Sequence, residues 1–288
     1  MTKKKNKGGT AMVLVGASLW GLIGLFNRTL MAAGLTPESI VLIRNLGGLV
    51  LLGLVLALWK RQVFRVQPKH LVYFVGTGII SVLLFTWCYF SCQQECSLAV
   101  AAILLYTSPA FVVLLSTLLW KDRLTGKKLL ALGLTFFGCV CVTGVYSGGM
   151  TITLRGFLLG LGAGFFYALY SIFGRYALAH YAPYTVTFYT FAFAGVGSLL
   201  FFRAEQVAIL ADATMALVAL GLAVVCTVLP YLFYTAGLAR MDSGKAAILA
   251  SVEPVVAALV GMIAFHESMS PATGLGVISI LAAVLLLR

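Results

Sequence analysis

Apolar residues run along this chain in blocks of about twenty, the number that carries a helix across the hydrocarbon core of a bilayer. Polar residues gather in the short gaps between the blocks. Ten such blocks are predicted, at 10–31, 38–59, 70–92, 97–119, 127–146, 154–177, 183–203, 213–237, 244–265 and 271–287. Lipid offers no partner to an exposed backbone N–H or C=O, so each block must satisfy its own hydrogen bonds and is read as a helix rather than a strand. The predicted fold is therefore an all-α membrane protein with ten transmembrane helices.

A longer pattern lies over the helical one. Residues 101–126 (AAILLYTSPAFVVLLSTLLWKDRLTG) and 246–271 (AAILASVEPVVAALVGMIAFHESMSP) begin alike and keep register: Pro109 matches Pro254, Asp122 matches Glu267 and Thr125 matches Ser270, each at an offset of 145. An apolar helix with a central proline, an acid just past its end and a hydroxyl residue opening the next helix are thus written twice. A repeat at this spacing predicts two halves, residues 1–148 and 149–288, of five helices each.

Composition fits this reading. Hydrophobic residues make up 61% and charged residues 10%, far below the quarter usual in soluble chains. Mean hydropathy is +1.05. A formal charge of +12 on a soluble protein would point to nucleic acid. Here the placement of the charge explains it, and no nucleic-acid partner is expected. With the N-terminus in the cytoplasm, that side receives Lys3, Lys4, Lys5, Lys7, Lys60, Arg61, Arg65, Lys69, Lys121, Arg123, Lys127, Lys128, Arg175, Arg240, Lys245 and Arg288. The outer side receives Arg155 and Arg203, and Arg28 and Arg44 lie within spans. This positive-inside bias predicts a multi-pass cell-membrane protein with both termini cytoplasmic. The basic start, Met1–Gly9, runs into a full-length span and reads as a retained first helix rather than a secretory signal. An odd number of helices per half turns the second half upside down, and inverted repeats are how many secondary transporters build two gates around one midplane site.

The doubled pattern resembles the two EamA repeats of the drug/metabolite transporter superfamily. The resemblance is carried by Pro109 with Lys121-Asp122-Arg123-Leu124-Thr125, and by Ser251-Val252-Glu253-Pro254 with His266-Glu267-Ser268-Met269-Ser270. Trp20-Gly21 and Arg44 also fit the first repeat. The resemblance covers about residues 10–287. It implies a carrier of two inverted five-helix repeats, a cavity lined by helices 1, 3, 4, 6, 8 and 9, and metabolite export as the commonest task. Thr190 stands in the second repeat where Arg44 stands in the first, so any role of the arginine is not duplicated.

Glu253 is the sharpest candidate, as the site of a substrate amine or of a proton, or else as a structural carboxyl bonded to its neighbours. It lies about nine residues into its helix, roughly 14 Å along the axis and close to the midplane. A carboxylate there costs about 2.5–3.5 kcal/mol on insertion scales, so it should face a cavity or a partner. Pro254 removes a helical hydrogen bond beside it. In the first copy, Tyr106, Thr107 and Ser108 offer hydroxyls instead of charge. One carboxylate facing an uncharged polar wall suits an amine or a zwitterion. Arg44 could hold a substrate carboxylate or serve a structural role near the outer interface, where Arg28, Glu38 and Glu95 also fall. Trp20, Trp87, Tyr89, Tyr106, Tyr167, Tyr170, Tyr231 and Tyr234 supply faces for an organic cation, or pack as core. Of these, Trp20, Tyr89, Tyr106, Tyr167, Tyr170 and Tyr234 join Glu253, Ser108 and Arg44 as candidate substrate ligands. Pro109, Pro254, Asp122 and Glu267 are candidate kink and gate residues. Gly156, Gly160 and Gly164 form a small-residue stripe read as a packing seam. Lys245 snorkels at its helix start or closes an inner gate with Asp242. The six cysteines read as core packing, with no metal site or cofactor expected.

No GxxxxGK[ST] loop for ATP is present, so energy must come from a gradient or from exchange, with protons as a candidate coupling partner. An intramembrane enzyme lacks support: there is no HExxH, no GxSxG and no acid dyad. A channel would need a continuous polar lining, which the sparse polar residues do not supply. The reading is a secondary carrier exporting small polar metabolites, with amino acids or amines favoured. Monomer and homodimer both stay open.

Overall fold

The structure is a computed structural model that describes residues 2–145 and 152–287, with side chains from Gly8 onward. The expected boundary at 148/149, the side chains of Lys3, Lys4, Lys5 and Lys7, and Arg288 lie outside the described residues. Among the described residues every element is helical. We number the apolar helices α1 (Gly8–Ala32), α2 (Pro37–Trp59), α3 (Pro68–Glu95), α4 (Leu98–Trp120), α5 (Gly126–Thr143), α6 (Leu154–Leu178), α7 (Pro183–Phe201), α8 (Ala213–Leu238), α9 (Ser243–Phe265) and α10 (Pro271–Leu287). The first nine are long and apolar enough to cross a membrane, whereas α10 has 17 residues and is shorter. The chain is a multi-pass helical membrane protein.

Side chains in the connections start these helices. Thr125 accepts from the Lys128 N–H, Thr153 from Gly156, Asp242 from Lys245 and Ser270 from Thr273, so each satisfies one of the amide groups a helix start leaves free. Thr125 and Ser270 are the repeated hydroxyl residues, and in both copies they open the next helix as expected.

The prolines break α4 and α9 where their chemistry requires. Proline lacks the N–H that would reach the carbonyl four residues back, which is Leu105 for Pro109 and Ala250 for Pro254. The α-helical runs end at those residues, Leu98–Leu105 and Ser243–Ala250, and restart as Ser108–Trp120 and Glu253–Phe265. Two residues in each break lie between the α-helical runs as turns, Tyr106 and Thr107 in α4, Ser251 and Val252 in α9.

Packing joins the first five helices to the last five. Extensive contacts pair α5 with α10, α2 with α7, α4 with α9, α1 with α8 and α3 with α6. Close approach at the breaks depends on missing side chains. A Cβ on Gly21 would lie 2.6 Å from Val256 Cβ and 2.8 Å from the Glu253 carbonyl oxygen, and one on Gly164 would lie 2.6 Å from Thr107 Oγ1. Thus α1 lies directly on the break in α9, and α6 directly on the break in α4. The Gly156, Gly160 and Gly164 stripe seats α6 against Glu95, Leu104 and Thr107, the packing seam its spacing predicted.

Candidate functional site

The two broken helices face a narrow central cavity of about 30 Å³, with room for about two waters. Trp20, Phe85, Tyr167, Tyr170, Tyr231 and Tyr234 supply its rings, and Ser81, Ser108 and Ser171 its hydroxyls. A second cleft of about 340 Å³ is bordered by Tyr106, Thr143, Pro254, Glu267 and Thr273. Ser108 and Ala250 border the cavity while Tyr106 and Pro254 border the cleft, so the two helix breaks stand between the two spaces.

Several tyrosine hydroxyls are already engaged. Tyr170 Oη lies 2.6 Å from Thr235 Oγ1, and Tyr234 Oη 2.7 Å from Ser171 Oγ, both between α6 and α8. Trp20 packs edge-on against Tyr231 at 5.2 Å and beside Tyr234 at 5.4 Å. Tyr170 and Tyr234 therefore present ring faces to the cavity rather than free hydroxyls. Tyr167 packs edge-on against Phe85 at 5.2 Å. Tyr89 lies tilted beside Phe85 at 5.9 Å and does not border the cavity. In α4 the Thr107 hydroxyl donates to the Leu104 carbonyl at 2.6 Å, so it serves the break itself.

Two opposite charges lie near this aromatic wall, although neither borders the cavity itself. Glu253 and Arg44 are both half-buried and lie within electrostatic range of each other. They form no ion pair within 4.0 Å, and among the described residues the Glu253 carboxylate has no hydrogen-bond partner. Tyr167 and Tyr231 lie within range of both charges. Arg44 is held at one atom, its Nε donating to Thr227 Oγ1 at 3.1 Å. A carboxylate and a guanidinium inside a membrane bundle are costly to bury without polar partners.

Asp122 and Glu267 close two matching clusters. Arg175 of α6 engages both carboxylate oxygens of Asp122 and lies 4.3 Å over the Trp120 ring. Arg28 of α1 donates to Glu267 at 2.7 Å and lies 4.1 Å over the Phe265 ring. Trp120 and Phe265 share the offset of 145 that relates Asp122 to Glu267. Each acid is thus met by an arginine from the other half of the chain. The first cluster is the more enclosed, with side chains 28% and 14% exposed against 56% and 51% for the second. The sequence offered the acids but not their partners, because the pairs span 53 and 239 residues. Glu95 pairs with Arg155 at 3.4 Å. Asp242 does not close a gate with the Lys245 ammonium: its carboxylate pairs with Lys128 at 3.0 Å and accepts from the Lys245 backbone.

π-helical turns in α3 and α8 carry no sequence expectation. They cover Gly76–Leu83 and Val224–Val228, and 79–83 shifted by 145 gives 224–228. The turn in α8 lies just ahead of Pro230, whose missing N–H already interrupts the α-helical ladder.

An apolar helical chain folded around an aromatic-lined cavity, with a carboxylate and a guanidinium within range of its tyrosines, has the make-up of a membrane transporter. The EamA-like transporter family model matches residues 7–144 and 154–288, and the chain belongs to that family. An uncharacterized transporter of Archaeoglobus fulgidus is 29% identical over 96% of this chain and 95% of its own. A probable amino-acid metabolite efflux pump of Escherichia coli is 25% identical over 96% and 93% of the two chains. The threonine/homoserine exporter RhtA of Escherichia coli is 29% identical over 78% and 72%. A solved crystal structure shares the fold with a TM-score of 0.81, at 20% identity over 98% of this chain and 96% of that one.

Proposed function

We propose that this protein is a secondary carrier that exports small zwitterionic metabolites, amino acids foremost, by alternating access. In this reading residues 1–148 and 149–288 are inverted five-helix repeats, α10 completes the tenth crossing, and both termini face the cytoplasm. The Arg44 and Glu253 charges, held apart beside aromatic rings, carry the proposal: Arg44 takes the substrate carboxylate and Glu253 its amine. The relatives named as amino-acid metabolite and threonine/homoserine exporters support the substrate class. Trp20, Tyr167, Tyr170, Tyr231 and Tyr234 enclose the substrate's remaining surface, and Ser108 lines the uncharged side. Tyr106 and Tyr89 flank the Glu253 end of the site.

The two arginine–acid clusters act as gates. Asp122 with Arg175 holds the cytoplasmic end and Glu267 with Arg28 the outer end, while the proline breaks at Pro109 and Pro254 let the half-helices move. A cavity of about 30 Å³ is too small for an amino acid, so binding requires one end to part. An enzyme reading has no paired acid at the centre to support it. The test is flux in liposomes holding the purified protein. Saturable counterflow of amino acids supports the proposal, whereas an ohmic current or an absence of counterflow overturns it.

A further inference from the structure

The geometry points to Thr227, in the π turn of α8, as the residue that aims Arg44 at a substrate carboxylate and so sets the preference for zwitterions over simple amines. The inference rests on the proposed function. A threonine hydroxyl has a single proton and two lone pairs. The Thr227 proton goes to the Leu222 carbonyl at 3.0 Å, five residues back, the reach of a π turn. Its lone pairs are then the only part left to meet Arg44, and the Arg44 Nε lies 3.1 Å away. Thr227 is 1% exposed, so water does not compete for the site.

The consequence is a matter of guanidinium geometry. Arginine carries five N–H donors in a rigid planar fork. Fixing Nε orients the plane and leaves the four terminal N–H groups, the edge that meets carboxylates bidentately, with no hydrogen-bond partner among the described residues. An α-helical α8 would carry residue 227 at a different angle, because a π turn adds a residue and rotates what precedes it. The π turn is therefore part of the device.

The other half supplies an internal comparison. Thr190 of α7, opposite Arg44 in the repeat, sits 2.8 Å from Thr77 in the π turn of α3. Each half thus places one polar group of its second helix against the π turn of the other half's third helix. Only in one of the two is that group a cation, so only one can recognise a carboxylate.

The experiment compares wild type, Thr227→Val, Thr227→Ala, Thr227→Ser and Arg44→Lys in proteoliposomes. These are preloaded with a mixture of standard L-amino acids and their decarboxylated amines, and counterflow is read by mass spectrometry. Thr227→Val and Thr227→Ala are expected to raise KM for amino acids about tenfold, as loss of a hydrogen bond to a charged group does, with kcat and the amine KM little changed. Thr227→Ser is expected to keep wild-type selectivity. Equal effects on acids and amines, or none in both the Val and Ala variants, would overturn the inference. Thermal melting of each variant separates misfolding, which lowers both fluxes together, from lost aim. If Arg44→Lys shifts acid selectivity and the Thr227 variants do not, only this inference fails. If wild type and Arg44→Lys treat acids and amines alike, the proposed substrate class fails with it.

Discussion

Lys121 and His266 lie 145 residues apart and adopt the same left-handed backbone, with φ of 56° and 54°. They are the two non-glycine residues with positive φ among those described. Each follows the last residue of a broken helix, Trp120 or Phe265, and precedes the acid that meets an arginine of the other half. The left-handed residue turns the chain so that aromatic ring and carboxylate address the same guanidinium. The two copies therefore share a backbone device as well as residue types.

That device yields a stability prediction. Any residue with a Cβ pays about 1–2 kcal/mol in the left-handed region, a β-branched one more, and glycine does not. Lys121→Gly and His266→Gly are expected to leave thermal stability equal or raised, and Lys121→Val and His266→Val to lower it. Thermal melting of purified variants checks this. Valine variants as stable as wild type would mean that the turns carry no strain.

The two arginine–acid pairs differ in enclosure. Asp122 and Arg175 are mostly enclosed and doubly bonded, so removing one charge leaves the other in a poorly hydrated place, at a cost of about 1–3 kcal/mol. Glu267 and Arg28 are half exposed, where ion pairs contribute about 0–1 kcal/mol. Asp122→Asn is expected to speed labelling of a cysteine placed at Ala247 in the central cavity about tenfold, and Glu267→Gln to change it less than about threefold. Labelling rates with a small maleimide decide between these outcomes, and equal rates in the two variants would remove the distinction.

Much of this was legible in the order of residues. Apolar runs placed the helices, and Pro109 and Pro254 placed the breaks, because a missing N–H acts on its own helix. Glu253 announced itself as a lone acid in an apolar run. The partners of Asp122 and Glu267 could not be read, since Arg175 and Arg28 reach them only once the two halves interlock. The π turns of α3 and α8, and with them Thr227, stayed hidden for a related reason. A one-residue insertion in a helix leaves no apolar period to detect, and Pro230 was its only local sign.

Glu253 should govern the response to pH. As a carboxylate it attracts an amine, and once protonated it does not. Glu253→Gln fixes the neutral form. The variant is expected to transport slowly and to lose whatever pH dependence wild-type counterflow owes to a carboxylate that becomes an acid. Initial rates across a pH series test it, and a variant with wild-type rate and pH profile would free Glu253 of its role.

A carrier of this kind requires its two halves to face opposite sides of the membrane. Lys127 and Ser268 are exposed and follow equivalent helix ends, so they report the sidedness of each copy. Single cysteines at these positions, with the six native cysteines replaced, can be labelled in intact cells by a membrane-impermeant maleimide. The expected result is rapid labelling at 268 and labelling at 127 only after the membrane is opened. Labelling of both positions from the same side would contradict the inverted arrangement and, with it, the carrier reading.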